Sequence, residues 1–460
     1  MPKFEPLSPE WWVYRLHDQL TKRAADIAVY DQYYRGDHPL PWLAEQAQDE
    51  FRRVLRMTRS NYMGLVCDSQ VERMQFEGIR VGESLEADKE MWAIWEENHL
   101  DSDFDQGLLE ATIGGQAYML VAPNPDNAKR PLMWIEHPSQ VIVEYAPGSG
   151  RNKRIAGLKV WQDDWTGLLH SNLQYDGLIW KFQSERPVNG GSSDTSKIRW
   201  VPRVVGKETW PAKNPLGEVS FVELPNNPRL LTGGVSELSD LTDIQDRVNK
   251  TIADRLMTQD YGAFPQKWAK AWPEEDANGN PTKKIDVGRD RMVTTDVKEA
   301  EFGQWDAAPM DPYSAAKRED VKDIASRSRT PAQYLLGELS NVNGETLKAS
   351  ESGHVSKVRQ RIKSHSEGLK DAFRLARKAA GLPPERMEPI WRNPEFRTEG
   401  ELVDSLTKMA TLNVPEEALW ERWGATPQER DRWRDWNAAR REDPVLSRIN
   451  RDLVGDDAEA

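Results

Sequence analysis

The chain has 460 residues, too many for one simple core, so about two to four structural units are expected. Hydrophobic residues make up 38% and charged residues 30%, which excludes a chain disordered throughout, and 19 Trp supply large side chains for burial or subunit contacts. A net charge of −13 argues against tight, non-specific nucleic-acid binding over the whole surface.

The N-terminal MPKFEPLSPEWW lacks the basic and apolar regions of a signal peptide. No apolar run approaches the roughly 20 residues of a membrane span. The lone Cys67 has no partner for an intramolecular disulfide and suits a reducing compartment. A cytosolic, soluble product without membrane contact is expected.

Helices are predicted over 8–35, with Ser8 as cap and Pro9 at the first position, and over 42–58, where Leu43, Ala47, Phe51, Val54 and Leu55 share a face. A third spans about 61–74 and breaks near Gly78, and two more cover 86–98 and 103–114, the last ending at Gly114-Gly115. Short apolar runs follow at 117–122, 133–136, 141–145, 155–161, 167–173 and 177–182, separated by turns such as GSG and YDG. They read as one antiparallel, mostly meandering sheet, followed by the loop GGSSDTSK (190–197) and a strand at 219–224 ending in PNNP.

After Gly233-Gly234 the residues Leu238, Leu241, Ile244, Val248, Ile252 and Leu256 recur in steps of three and four, predicting a helix over 236–260 about 36 Å long. Asp243 with Arg247, and Asp246 with Lys250, are set for i,i+4 pairs. Residues 262–310 break into short elements. Helix resumes at 312–328, the stretch TPAQYLLGELSNVNGETLK interrupts it, and a helix of about 345–380 follows, stopped by Gly381 and Pro383-Pro384. Residues 385–460 are acidic, Trp-rich and read as helical. The layout is α+β, without internal repeats.

Chemistry-bearing motifs are wanting. No G-x-x-x-x-G-K-[ST] loop exists, and Gly190 to Lys197 has the wrong spacing and reads as a hairpin loop. DANGNP begins like a calcium loop, but Pro281 and Val287 stand where Gly and Glu are needed, so a β-turn is expected. The histidines include no H-E-x-x-H pair, and His354 and His365 lie three helical turns apart, too far to share a metal. Catalytic, cofactor-binding and metal-ligating residues are therefore expected to be absent, and nothing supports an enzyme. Helix 345–380 carries a basic excess, including Lys348, Lys357, Arg359, Arg361 and Lys363. It reads either as a phosphate-facing surface or as one half of salt bridges to neighbouring acidic subunits.

Four stretches, YYRGDHPLPW (33–42), EHPSQVIVEYAPG (136–148), LGEVSFVELPNNPRLLTGGVSELSDLTDIQDRVNKTIADRLMTQDYGAFPQKW (216–268) and RTPAQYLLGELSNVNGETLKASESG (329–353), occur in an order that covers nearly the whole chain. Together they resemble the portal proteins of tailed bacteriophages, in particular the long, non-contractile-tailed phages of actinobacteria. The resemblance implies a portal fold with an α/β wing, long stem helices, a small clip insert and an α-helical crown. Carried over, 1–235 and 344–381 are wing, 236–261 and 312–329 are stem helices, 262–311 is clip, 330–343 is tunnel loop and 382–460 is crown.

The implied function is a ring, usually dodecameric, at one capsid vertex, through which double-stranded DNA is packaged and ejected. The implied partners are other copies of the chain, the terminase large subunit, the head–tail adaptor, and the major capsid and scaffolding proteins. The implied location is the virion, with assembly in the host cytoplasm. Tyr334, Leu335, Leu336, Gly337, Glu338, Asn341 and Asn343 would form the DNA-facing tunnel loop. The alternative for Tyr334, Leu335 and Leu336 is that they pack back onto the wing. Asp240, Asp243, Asp246 and Lys250 would line the stem channel, where like charge discourages phosphate contacts, or face an adjacent subunit. A terminase-type motor and a cytosolic helical adaptor or scaffold are the competing functions. The missing P-loop opposes the first, and the ordered resemblance opposes the second.

Overall fold

The computed structural model describes residues 4–41, 55–84, 86–148, 153–188, 198–230, 232–263, 267–270, 299, 301–304, 306, 309–337, 344–395 and 399–442. The chain divides into two compact units, one of residues 1–36, 61–242 and 325–460 and the other of 37–60 and 243–324.

The first unit opens with α1 (Pro9–Tyr34), where the Ser8 hydroxyl accepts from Trp11 N at 3.2 Å. Then come α2 (Met63–Val71), β1 (Phe76–Val81), α3 (Lys89–Glu97) and α4 (Leu100–Gly114). Gly78, expected to break a helix, lies inside β1. Helix α4 stops because Gly115 adopts a left-handed φ of 85° and the next residues turn into strand.

The strands that follow make two sheets, not the single meander expected. In one, β2 (Gln116–Ala122) is central between β3 (Leu132–Glu136) and β10 (Phe221–Pro225). In the other, β4 (Val141–Tyr145), β5 (Arg154–Gln162), β6 (Leu169–Tyr175), β7 (Leu178–Ser184) and β8 (Trp200–Pro202) run in order, with β9 (Ala212–Lys213) paired to β7. The reason is burial. Nearly all of β2 is buried, with Ala117, Met119 and Val121 on one core cluster and Tyr118 and Leu120 on another. A strand covered on both faces takes a central place, and β10 supplies its second edge.

The second unit contains most of α5 (Thr242–Ala263) and α6 (Asp311–Ser328), with the antiparallel pair β11 (Lys267–Lys270) and β12 (Glu301–Gln304). Most of the predicted helix 42–58 lies outside the described residues; Leu55 packs with Ala253 and Met257. Ser60 O accepts from Gln245 Nε2 at 2.6 Å, and Ser60 N donates to Asn249 Oδ1 at 3.1 Å. Helix α5 begins at Thr242, six residues later than the periodicity of 236–260 predicts. The apolar spacing continues upstream, but Glu237 N donates to Thr112 O at 3.0 Å and Leu238 N to Ser236 Oγ at 3.1 Å, so that segment is committed to turns.

The first unit resumes with the single turn α7 (Ala332–Leu336) and the long α8 (Gly344–Ala379). Val358, Leu369, Phe373 and Ala376 of α8 enter the main core with Trp95, Phe104 and Met119. Gly368 lets α8 lie directly on β10, since a Cβ there would stand 2.7 Å from the Glu223 carbonyl oxygen. Residues 385–460, read as helical, instead begin with β13 (Met387–Trp391), which pairs antiparallel with β1. Pro389 is tolerated there because a two-stranded sheet is all edge. Helices α9 (Glu399–Thr411), α10 (Glu416–Trp423) and α11 (Pro427–Glu442) follow.

Candidate functional site

Within the first unit, the chain between α6 and α8 is held by a buried polar seam. Helix α6 ends in a Schellman arrangement: Thr330 N donates to Ala325 O at 3.0 Å, Arg329 N to Ser326 O at 3.4 Å, and Arg329 has φ 53°. Pro331 then prevents helical continuation. The last carbonyls of the turn are taken up by α8. Lys357 Nζ donates to Ser328 O at 2.6 Å, and His354 Nδ1 lies 3.1 Å from Arg329 O. His354 Nε2 is also 3.1 Å from Ser69 O, which ties the junction to α2.

Beneath this lies a triad of charges. Glu237 Oε1 is 3.0 Å from Lys357 Nζ and Glu237 Oε2 is 3.1 Å from Arg361, whose Nη1 also donates to Asn227 at 2.8 Å. The three side chains are 8%, 3% and 6% exposed, so the pairs are shielded from water. Desolvation pushes the Glu237 carboxyl up, but Lys357 and Arg361 outweigh it and hold it below the usual carboxylate value. Burial lowers Lys357 despite Glu237 beside it.

Helix α7 is latched onto the same seam. The Tyr334 hydroxyl accepts from Arg73 Nη2 at 2.5 Å and donates to Glu351 Oε1 at 2.7 Å, and Arg73 pairs with Glu351 at 3.1 Å. Burial, then the bond to Glu351, raises the Tyr334 phenol above its ordinary range. Leu335 is buried, Leu336 half-buried and Gly337 exposed with φ 64°, ending the turn. Glu338, Asn341 and Asn343 lie outside the described residues.

Of the predicted stem residues, Asp240 is exposed in the turn before α5 and Asp243 is exposed in its first turn. Asp246 and Lys250 are half-buried. The intrahelical pairs expected on α5 give way to others. Arg247 reaches Asp320 at 2.7 Å and Asp323 at 2.5 Å on α6, and Lys250 turns to Asp254. A guanidinium fork matches two carboxylates one turn apart better than a single i,i+4 partner.

Sequence reasoning missed Arg73 and Glu237 because their partners are distant in the chain. The available signal was the run Glu351, His354, Arg361 and His365, polar residues at helical spacing interleaved with the apolar stripe of α8. His365 is fully buried, and burial lowers it to about 3, so it is neutral.

A cleft of about 1030 Å³ also opens beside α8, lined by Arg154, Glu218, Asp371 and Arg374 among others. Its charges close on one another, with Arg374 2.7 Å from Glu218 and 2.8 Å from Asp371. The Glu218 carboxyl, although desolvated, is brought down to about 2 by Arg374 and Lys378. Among the described residues no group of three or more His, Cys, Asp or Glu could hold a metal ion, and no helix is long and apolar enough to cross a membrane.

The seam fixes chain direction between helices and satisfies their ends. The chain matches the family described as phage portal protein, SPP1 Gp6-like, over residues 15–443, and it belongs to that family. It is 26% identical over 399 residues to the portal protein of Mycobacterium phage D29, covering 82% of this chain and 78% of that one. To the portal protein of Mycobacterium phage L5 it is 25% identical over 435 residues, covering 90% and 85% respectively. Among solved structures, the neck of an empty GTA particle computed with C6 symmetry is similar at a TM-score of 0.41 and 12% identity, over 84% of this chain and 91% of that chain. The resemblance to actinobacteriophage portals read from the sequence is thus borne out, and so is the mixed helix-and-strand fold class. The chain is a phage portal protein, a structural component of the virion.

Proposed function

We propose that copies of this chain close into a ring, dodecameric in the virion, at one capsid vertex, and that its channel passes the genome during packaging and ejection. The observation that carries this reading is the family match across residues 15–443, nearly the full chain. On this reading α5 and α6 are stem helices and 262–311 is the clip, which meets the terminase large subunit and later the head–tail adaptor. The remainder forms the wing and crown, with the wing against the major capsid and scaffolding proteins. Assembly takes place in the host cytoplasm.

The loop 330–343 would narrow the channel. Tyr334 and Leu335 are engaged at the junction, which favours Leu336 and Gly337 as the described residues open to DNA. The stem would present Asp240 and Asp243 to the passing duplex, acidic groups that do not hold phosphate.

Native mass spectrometry with negative-stain microscopy of the purified chain is the test, with scaffolding protein added if needed. Closed rings with a central hole are expected. A chain that stays monomeric under every such condition refutes the ring. Replacing Asp240 and Asp243 by Lys should make rings retain DNA in a salt-dependent way. Unchanged retention at low salt would remove these residues from the channel wall. Deleting 337–342, which spares Tyr334 and Leu335, should block packaging while rings still assemble, and a normal phage yield would end the loop assignment.

A further inference from the structure

A surface pocket of about 270 Å³, lined from β1, α3 and α4, belongs neither to the seam nor to the stem helices. One wall is aromatic. Phe76 and Trp92 are half-buried with ring centroids 6.2 Å apart, and both pack against the core that holds Trp95 and Phe104. The Trp92 indole N–H already donates to Glu96 at 3.0 Å, so what Trp92 brings to the pocket is its ring.

The charged lining is acidic. Asp101 and Asp105 stand one turn apart on α4, both exposed, and Glu77 of β1 lines the pocket with Arg392. Three carboxylates thus meet one guanidinium, and that one is engaged: Arg392 Nε lies 2.7 Å from Glu77. Cations on neighbouring elements are paired elsewhere, Arg80 and Arg430 with Glu421, Lys89 with Asp431 and Arg130 with Glu97. Asp101 sits in the first turn of α4, where the helix dipole favours a carboxylate. Asp105 lies beyond that turn. Partial burial and then the charge of Asp101 raise its carboxyl, and no cation or donor among the described residues opposes them. Like charges four residues apart on a helix are destabilising, so the pair calls for a counter-charge that these residues do not supply.

Aromatic faces beside two carboxylates match a cation carried on an apolar stem. A guanidinium stacks flat on a ring, and its fork reaches two carboxylates one turn apart. The chain uses this chemistry itself: Arg247 meets Asp320 and Asp323, and Arg203 lies over the Trp161 ring, 5.3 Å from its centroid. About 270 Å³ holds one side chain and falls short of the roughly 300–1,000 Å³ of a drug-sized ligand site.

We infer that this pocket takes the guanidinium of one arginine side chain presented by another protein, its stem on Phe76 and Trp92 and its head at Asp101 and Asp105. The lining residues all belong to one compact unit of one chain, so the pocket exists whether or not copies close into a ring.

The test is ligand-observed saturation-transfer NMR on the full chain with acetyl-Gly-Arg-Gly-amide, compared with acetyl-Gly-Lys-Gly-amide and ethylguanidinium. Saturable, millimolar binding of the arginine peptide is expected, about threefold tighter than the lysine peptide. The double variant Asp101→Asn, Asp105→Asn should weaken it about tenfold without lowering the melting temperature. Trp92→Leu, which keeps an apolar wall but no π face, should weaken it about threefold. An arginine peptide that does not saturate, or that binds the double variant as well as wild type, overturns the inference. So does a lysine peptide that binds equally well, which would make this a general cation site. Ethylguanidinium that binds and is not displaced by the peptide assigns the pocket to a free cation and overturns it as well.

Discussion

Replacing Glu237 by Gln removes one charge from a site where two cations stay behind. Lys357 and Arg361 are 3% and 6% exposed, so water cannot take over from the lost carboxylate. Breaking a buried pair by deleting one partner costs about 3–5 kcal/mol, because the remaining charge is desolvated and uncompensated. In a unit of this size the loss corresponds to roughly 4–7 °C in melting temperature. The pH dependence gives a second handle. Burial already lowers Lys357, and Glu237 is what opposes that shift. Without Glu237 the lysine falls further below its unfolded value, so the unfolded state binds more protons at neutral pH. Stability of the variant therefore rises with pH until Lys357 is neutral in both states, narrowing the gap to wild type over the range from neutral pH up to the unfolded lysine value of about 10.4 in which the folded lysine has lost its proton. Thermal melts of both proteins at one concentration across that range read the effect. A loss under about 1 kcal/mol, or a gap that does not narrow as pH rises, would show that solvent reaches the triad and that its burial does not govern its energy.

Two glycines of α8 should behave oppositely. At Gly353 none of the described residues lies within 4 Å of an added Cβ, so Gly353→Ala should stabilise by about 0.5–1 kcal/mol in a denaturant melt. At Gly368 the added Cβ meets the β10 backbone, and Gly368→Ala should cost about 1–3 kcal/mol, with equal effects at the two sites ruling out the close packing. His365 is brought to about 3 by burial, and neither ring nitrogen is hydrogen-bonded among the described residues. It binds a proton only in the unfolded state between there and its ordinary 6.5, so stability is lost as pH falls through that window. His365→Leu should flatten the acid limb of the stability curve between about pH 6.5 and 5, and a curve unchanged in slope would contradict a neutral buried imidazole.

Helix ends written in local chemistry were legible in the residues themselves. Ser8 and Pro9 open α1, Gly115 closes α4, and Gly381 follows the end of α8, each within a residue or two of the prediction. The ordered phrases also disclosed the family. Three things were not legible. The apolar steps at Leu238 and Leu241 continue the period of α5, yet a hydrogen bond from Glu237 to Thr112 keeps that stretch out of the helix. A short apolar run between turns marked β2 as a strand but could not say that β10, rather than β4, completes its sheet. MEPIW is too short to outweigh its helical surroundings, and it becomes β13 only because β1 offers an edge to pair with.

The sequence alone determined what depends on neighbours within a few residues: caps, helix periods, turn positions and net charge. Tertiary structure decided which distant groups meet. Lys357 and Arg361 read as part of a phosphate-facing surface or of salt bridges to other subunits until Glu237 is found beneath them, and Tyr334 reads either as a loop tip or as packed back on the wing until Arg73 and Glu351 hold its hydroxyl. The physical reason is that burial, and with it the strength of every charge pair, belongs to the whole packed unit and not to any stretch of chain.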